Sequence, residues 1–428
     1  MLLFLSTGID YFSALRINKA DTATGRKVWL WSAIVINVGL LCFFKYYNFF
    51  SASFADAISL VGFKANPVTL NIILPVGISF YTFHGLSYII DVYKKRIEPE
   101  RNFVVYSVFV SFFPLLVAGP IERATHLLPQ IKSQRVFSYT KAIDGLRQIL
   151  WGLFKKVVIA DNCAKYANLI FENYNDYSGS TLVLGAVFFA FQIYGDFSGY
   201  SDMALGIARL FGIELLRNFA FPYFSRDIAE FWRRWHISLS SWFKDYLYIP
   251  LGGSRGGNWM KVRNTFIIFI VSGLWHGANW TFLIWGLLNA IYFVPLLLRK
   301  KNRDNLEIVA KGQLLPSAKD AINILATFCL TVFAWIFFRA ENLNHAFGYI
   351  KNIFSPSFFT IPEIFPVKVI SLIATFIFIE WAGRENKYAL ETIGISWPRP
   401  IRFAAYYVLL AAIIFIGEGE QPFIYFQF

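Results

Sequence analysis

The sequence predicts an all-α protein that crosses a membrane several times. Hydrophobic residues make up 56% of its 428 residues and charged residues only 16%, whereas about a quarter of the residues in ordinary soluble domains are charged. Long apolar runs recur along the whole chain. Because a helical span needs about 20 mainly apolar residues, we expect roughly nine to eleven membrane segments, with no soluble domain and no internal repeat.

The placement of the basic residues and of the cysteines argues against nucleic-acid binding, a disulfide framework and a zinc site. A formal net charge of +13 would suit a protein that binds nucleic acid. The Lys and Arg residues, however, lie between apolar runs, as the cytoplasmic anchors of membrane helices do. We therefore predict membrane lipids as partners and no nucleic acid. Cys42, Cys163 and Cys329 include no CxxC pair, so they indicate neither a disulfide framework nor a zinc site.

The first half of the chain alternates apolar runs with polar segments. Residues 1–5 form a run too short to span, so either the first helix is partly interfacial or the chain begins inside a longer protein. We predict three membrane spans in this half, at residues 28–44, 70–90 and 103–118. We expect Pro75 and Gly77 to kink the second of them. The polar segment 121–141 is predicted to be a loop or an interfacial helix.

Two aspartates and two glycines interrupt the apolar run from residue 181 to residue 212. These residues are Gly195, Asp196, Gly199 and Asp202. They predict a broken or re-entrant helix, since irregular backbone at membrane depth is tolerated where it is buried or lines a cavity. The aspartates then either cap the two half-helices or belong to an ion pathway.

Residues 218–263 interleave Arg and Lys with aromatic residues, and no stretch among them is long enough to span. We predict amphipathic interfacial helices that lie along the membrane. Their basic residues are either ordinary anchors or a surface that attracts an anionic donor, such as the phosphates of coenzyme A. The glycine-rich segment 252–257 is predicted to be a turn, because it lacks the lysine ending of a phosphate-binding loop.

Residues 264–298 contain no Lys, Arg, Asp or Glu, and His276 lies near their middle. An ionisable side chain inside an apolar run is costly in a bilayer and by default indicates a functional site. The segment is longer than a hydrocarbon core of about 30 Å requires. It therefore forms either two spans that meet near residues 273–279 or one long tilted helix.

A second histidine has a similar local sequence, because His236 follows Trp235 as His276 follows Trp275. The two histidines lie on different elements and could converge on one cavity, where an imidazole can take a proton from a hydroxyl group near neutral pH. A buried structural role for each histidine stays open. A metal site is disfavoured, because HExxH and other ligand spacings are absent.

Several motifs resemble the membrane-bound O-acyltransferase family. The motifs are FSGYSDMA from Phe197, FWRRWHISLS from Phe231, DYLYIPLGG from Asp245 and SGLWHGANW from Ser272. LPVGISF from Leu74 and VAGPIER from Val117 are similar to the branch of bacterial alginate O-acetyltransferase membrane subunits. The resemblance covers nearly the whole chain. Members of that branch begin with additional hydrophobic segments, so we expect that the N-terminus of this chain is truncated.

The resemblance implies a ring of transmembrane and interfacial helices around a funnel, with residues 1–428 as one membrane domain. The family's catalytic histidine falls on His276, in the membrane segment 264–298, and its second motif histidine falls on His236. The implied activity is an O-acyltransferase of the bacterial inner membrane. It would move acetyl groups from cytoplasmic acetyl-CoA for O-acetylation of an exopolysaccharide such as alginate, with no bound cofactor and no metal.

The residues that we predict to bind substrate lie within three positions of the two histidines in the sequence. They are Arg234, Trp235, Trp275 and Asn279. Partner proteins in the periplasm or secreted would complete the transfer to the polysaccharide acceptor. Alginate, cellulose, another exopolysaccharide, peptidoglycan and teichoic acid all stay open as acceptors. The alternative class is a transporter that exports a polysaccharide or an acylated precursor, with Asp196 and Asp202 as a relay.

Overall fold

The computed structural model describes residues 1–63, 66–72, 74–419 and 421–424. All regular structure in these residues is helical, which confirms the all-α class. The chain divides into two compact units. The first comprises Met1–Val136, Ile213–Leu216 and Gly277–Asn279, and the second comprises Phe137–Gly212, Arg217–His276 and Trp280–Phe428.

The α-helices of the first unit are α1 Leu2–Lys19, α2 Ala23–Leu41, α3 Tyr47–Leu60, α4 Ile78–Tyr93, α5 Phe103–Ser111 and α6 Ala124–Lys132. Those of the second unit are α7 Tyr139–Leu153, α8 Asp161–Glu172, α9 Gly179–Leu210, α10 Ile228–Arg234, α11 Ile237–Phe243, α12 Gly257–His276, α13 Trp280–Leu298, α14 Ala318–Arg339, α15 Leu343–Ile353, α16 Val367–Ala382 and α17 Arg399–Phe415. Short π-helical segments occupy Cys42–Tyr46, Phe154–Ala160 and Lys244–Tyr248.

Four helical segments in the described residues are long and apolar enough to cross a membrane. They are Ala23–Leu60, α9, α13 and α14. This number is smaller than the predicted nine to eleven, because many of the predicted segments form shorter helices. The predicted ring around a funnel stays a prediction.

Two predicted spans of the first unit are wrong in their boundaries. The span predicted at 70–90 is helical only from Ile78, after Gly77 adopts a left-handed backbone with φ 75°; residue 73 lies outside the described residues. The span predicted at 103–118 ends as an α-helix at Ser111. Pro114 follows within a 3₁₀ turn, since proline cannot donate the hydrogen bond that would continue an α-helix.

The first unit buries a polar cluster between its first two helices. Asn37 Nδ2 donates to Asp10 Oδ1 at 2.7 Å, and Ser6 Oγ donates to Asn37 Oδ1 at 2.7 Å. All three side chains are buried. The polar residues that make the N-terminal run unlike a simple span thus hydrogen-bond to one another inside the unit, as most buried polar groups do, while Asp10 Oδ2 has no hydrogen-bond partner among the described residues.

The break predicted near residues 195–202 is wrong, because α9 is a continuous helix of 32 residues. Its aspartates bind lysines of the π-helical segment Phe154–Ala160 rather than capping half-helices. Lys156 Nζ lies 2.8 Å from Asp196 Oδ1, and Lys155 Nζ lies 2.5 Å from Asp202 Oδ2. Pairing makes these carboxylates tolerable inside the unit, since an isolated buried charge is very costly.

The glycines of α9 permit close packing on α7. A Cβ atom on Gly199 would lie 2.7 Å from the carbonyl oxygen of Gly152, and one on Gly145 would lie 2.7 Å from that of Gly206. Small residues let helix backbones approach closely in membrane proteins. The same composition that suggests a helix break therefore has a packing role here.

We expect that Gly199→Ala lowers the stability of the protein by about 1–3 kcal/mol, the usual cost of overpacking. The new methyl group would also lie 3.1 Å from the backbone nitrogen of Lys156, and neither backbone can move aside cheaply. The measurement is the midpoint of thermal unfolding in detergent. Gly39→Ala in α2 is the matched control, because no atom of the described residues, apart from its own helix backbone and chain neighbours, lies within 4 Å of its Cβ position. Equal midpoints for the two variants would contradict the packing role.

Candidate active site

The histidine-bearing segment forms two helices, which is the first of the two predicted alternatives. His276 is the last residue of α12, and α13 begins at Trp280. A Cβ atom on Gly273 would collide with the carbonyl oxygen of Phe282, and one on Gly286 would collide with that of Phe269. The two backbones therefore touch at two levels. This contact fixes the end of α12, and with it the position of His276.

His276 is buried, with 8% of its surface exposed. Three aromatic rings meet its imidazole edge-on: Trp275 at 4.9 Å, Trp285 at 5.2 Å and Phe338 at 5.1 Å between ring centroids. Such edge-to-face pairs are favourable. The side chain is therefore held in place by rings from α12, α13 and α14.

The two sequence-predicted histidines converge on one indole. The ring of His236 lies 5.9 Å from that of Trp275, whose ring lies 4.9 Å from that of His276. Trp275 therefore contacts both imidazoles. His236 precedes the first residue of α11, and His276 is the last residue of α12. The two histidines are forty positions apart in the sequence.

Trp235 is connected to His276 through two other tryptophan rings. Its ring lies 5.1 Å from that of Trp335, which stacks on Trp285 at 5.7 Å, and Trp285 contacts His276. Trp335 and Phe338 of α14 were not predicted as site residues. The apolar run that contains them has the composition of any lipid-facing span. The sequence therefore does not show whether these residues face lipid or the candidate site.

His236 has an unusual backbone and a fully buried side chain. Its φ is 44°, in the left-handed region, where it precedes the first residue of α11. Such a conformation in a non-glycine residue is sparsely populated and is found at functional sites. Burial lowers the pKa of His236 to about 3, so the imidazole is neutral near neutral pH. Neutral imidazole can accept a hydrogen bond or a proton.

Arg234 lies beside this cluster, but its guanidinium binds protein acceptors. Arg234 Nη2 donates to Glu230 Oε1 at 2.8 Å, and Arg234 Nη1 donates to the carbonyl oxygen of Ala220 at 3.2 Å. Arg226 Nη2 donates to the same Glu230 Oε1 at 3.1 Å. The predicted role of Arg234 in substrate binding stays a prediction, and so does that of Asn279, which belongs to the other compact unit.

Arg226 and the neighbouring Arg233 fasten the loop after α13. Arg233 donates to the carbonyl oxygens of Asn302 at 2.6 Å and Asn305 at 2.8 Å. Arg226 Nη2 donates to that of Glu307 at 2.7 Å. These basic residues of the segment predicted to be interfacial thus join α10 and the residues just before it to the loop 299–317, an arrangement that we call the clamp.

A cavity of about 570 Å³ lies alongside the α12–α13 pair. Its lining includes Lys244, Tyr248, Phe269 and Ser272. Ser272 lies about one helical turn before His276 on α12, at 3.6 residues per turn. The volume falls within the roughly 300–1,000 Å³ typical of small-molecule sites. In the part of the chain that the structure describes, no group of three or more His, Cys, Asp or Glu is placed to hold a metal.

Comparison with known proteins identifies the family. Residues 100–338 match the model of MBOAT, the membrane-bound O-acyltransferase family. The chain is 40% identical to a probable alginate O-acetylase of Pseudomonas aeruginosa, over 83% of this chain and 66% of that protein. It is 34% identical to a probable alginate O-acetylase of Pseudomonas putida, over 98% of this chain and 88% of that protein. It is 38% identical to a peptidoglycan O-acetyltransferase of Helicobacter pylori, over 82% of this chain and 69% of that protein.

The chain belongs to the membrane-bound O-acyltransferase family. Family membership confirms the predicted enzyme class, an O-acyltransferase, and together with the apolar helices confirms a multi-pass membrane protein. The names of these relatives are those of transferases, and they give no support to the alternative interpretation as an exporter.

Glu230 holds the two arginines, Arg226 and Arg234, that contact the loop 299–317. We expect that Glu230→Ala lowers the stability by about 3–5 kcal/mol, the usual cost of breaking a buried ion pair, because two guanidiniums lose their shared carboxylate. Limited proteolysis should then cleave the loop 299–317 faster. Glu418 forms partly exposed pairs with Lys165 and Lys368, and Glu418→Ala provides the control. Comparable proteolysis of both variants would refute the clamp.

Proposed function

We propose that this protein is an O-acetyltransferase of the bacterial inner membrane that passes acetyl groups from a cytoplasmic thioester towards a polysaccharide. The observation that carries the proposal is the convergence of His236 and His276 on Trp275, inside a buried aromatic cluster. Ionisable side chains buried in a membrane protein are rare and by default indicate a functional site.

His276 acts as the general base in this proposal. A hydroxyl oxygen of the acceptor attacks the thioester carbonyl carbon, while His276 takes the hydroxyl proton. The carbon–sulfur bond then breaks, and the proton passes to the departing thiolate, so that an ester and a free thiol result. The aromatic rings of Trp285 and Phe338 hold the imidazole in one orientation and limit the access of water, which would otherwise hydrolyse the thioester.

His236 orients a reactant beside the same indole. Its imidazole is neutral, because burial lowers its pKa to about 3. A neutral ring can accept a hydrogen bond from the donor or the acceptor without bringing a charge into the aromatic cluster. Trp235 and Trp275 would form the walls of the passage.

The cavity beside α12 is the proposed place of the donor. Lys244 and Arg303 contribute to its lining and are exposed to solvent, where they can attract the phosphates of acetyl-CoA. The apolar part of its lining, with Phe243, Phe269 and Phe293, suits an uncharged arm of the donor that carries the thioester. In this proposal the basic segment therefore has a donor-binding role in addition to its clamps.

The acceptor is proposed from the names of relatives. Alginate O-acetylases and a peptidoglycan O-acetyltransferase are similar to this chain over most of its length, and both names describe O-acetylation of a glycan. We favour an alginate-like exopolysaccharide, with periplasmic or secreted partner proteins that complete the transfer. The hydroxyl that His276 deprotonates would belong to the glycan or to such a partner.

Replacement of the proposed base gives the main test. We expect that His276→Ala lowers acetyl transfer in membranes by about 100- to 10,000-fold, the usual contribution of a placed general base. The measurement is acetate released by alkali from the exopolysaccharide, at matched protein levels. His345→Ala is the control, since His345 stacks on Tyr174 at 4.8 Å and has no proposed role in transfer. Retention of transfer in His276→Ala would exclude the general-base role.

Charge reversal at the cavity tests the donor site. We expect that Lys244→Glu combined with Arg303→Glu raises KM for acetyl-CoA about 10-fold or more and leaves kcat nearly unchanged, because each phosphate contact is worth on the order of 1 kcal/mol or more. The effect should shrink at high salt. Lys311→Glu, an exposed lysine outside the cavity lining, serves as the control. An unchanged KM in the double variant would place the donor elsewhere.

A further inference from the structure

We propose that Asn218 is a positioning residue that fixes His236 in the tautomer with its proton on Nδ1, so that the Nε2 lone pair is the acceptor in the site. The inference rests on the proposed function for the use of that lone pair, but not for the tautomer itself. Asn218 lies outside every motif used to identify the site histidines.

The side chain of Asn218 is buried and fully engaged. Asn218 Oδ1 lies 3.0 Å from His236 Nδ1 and accepts a hydrogen bond from Ser238 Oγ at 2.9 Å. On its other side, Asn218 Nδ2 donates to Ser201 Oγ of α9 at 3.1 Å. Only 1% of the Asn218 surface is exposed, so water does not compete for these hydrogen bonds.

The backbone holds the amide against the histidine as well. The backbone nitrogen of Ile237 donates to the carbonyl oxygen of Asn218 at 2.9 Å, and that of Ala220 donates to the carbonyl oxygen of Arg234 at 2.9 Å. Residues 218–220 therefore run alongside residues 234–237. The left-handed backbone of His236, with φ 44°, is part of the same arrangement and aims the imidazole at the amide.

The tautomer follows from hydrogen-bond chemistry. A carboxamide oxygen can only accept, so the ring nitrogen that faces it must carry the proton. Neutral imidazole has one proton on its two nitrogens, which leaves Nε2 as an acceptor. In the described residues His236 Nε2 is buried and has no hydrogen-bond partner. A buried acceptor without a partner costs about 1–3 kcal/mol, so the site is suited to a ligand that brings an O–H or N–H group.

The reverse orientation of the carboxamide makes the opposite prediction. Its nitrogen would donate to His236 Nδ1, and the proton would then sit on Nε2, which would become a donor. The two orientations differ in what an aspartate would do at position 218. A carboxylate can only accept, so it preserves the first arrangement and destroys the second.

The test compares Asn218→Asp with Asn218→Leu in the full chain in membranes. We expect that Asn218→Asp keeps transfer within about 10-fold of the parent protein. We expect that Asn218→Leu, which has a similar volume but no acceptor, loses at least about 100-fold in kcat, since a wrongly held tautomer can cost up to ~10,000-fold. Equal losses in both variants, with normal folding, would overturn the proposal, and so would an active Asn218→Leu.

Nitrogen-15 NMR of histidine-labelled protein reads the tautomer without any assay of transfer. The chain has only five histidines, and His236→Gln assigns the relevant signals by difference. We expect a protonated Nδ1 and an unprotonated Nε2 in the parent and in Asn218→Asp, and a mixture in Asn218→Leu. A protonated Nε2 in the parent would overturn the proposal. If the tautomer is as expected but His276→Ala retains transfer, the proposed function fails and the assignment of Asn218 stands.

Asn162→Leu is the matched control for a buried asparagine. Asn162 is also 1% exposed, and its Nδ2 donates to the carbonyl oxygens of Val158 and Ile416. Its loss should lower the unfolding midpoint without altering the nitrogen-15 signals of His236. A shift of those signals in Asn162→Leu as large as in Asn218→Leu would mean that general loosening, and not Asn218, sets the tautomer.

Discussion

Backbone contact between α12 and α13 is the constraint on which the arrangement of the site depends. Gly273 and Gly286 let each helix touch a carbonyl group of the other, at Phe282 and Phe269. Helices in a bilayer gain little from the hydrophobic effect, so close van der Waals packing of this kind associates them. The two contacts fix the C-terminal end of α12 against α13. Trp275 and His276 lie at that end.

Several buried charges of the second unit are paired within that unit. Lys155 and Lys156 pair with two aspartates of α9, and Glu230 pairs with Arg226 and Arg234. Buried pairs of this kind contribute little net stability, but removal of one partner is strongly destabilising. Aromatic rings lie against the imidazoles of His236 and His276.

The sequence suggested that the two histidines could converge, and both rings lie against Trp275, whereas several predicted helix boundaries are wrong; the catalytic roles of the histidines stay a prediction. His276 and His236 were predictable because ionisable residues in apolar or aromatic surroundings are rare and recurring motifs contain them. The break predicted at Gly195 and Gly199 was wrong, since glycine can permit either a bend or a close approach, and only the packing partner decides between them. Trp335 and Asn218 were missed. The sequence does not show which way a tryptophan in an apolar run or an asparagine in a loop faces.

Composition and local pattern by themselves determined the helical membrane class, the family motifs and the two histidines. Those features depend on residue type and on spacing within one element, which the sequence contains directly. Tertiary structure decided that Trp275 contacts both imidazoles, that the arginines of α10 clamp a loop, and that Asn218 faces His236. These contacts join residues far apart in the chain, and their geometry follows from how closely the helix backbones pack.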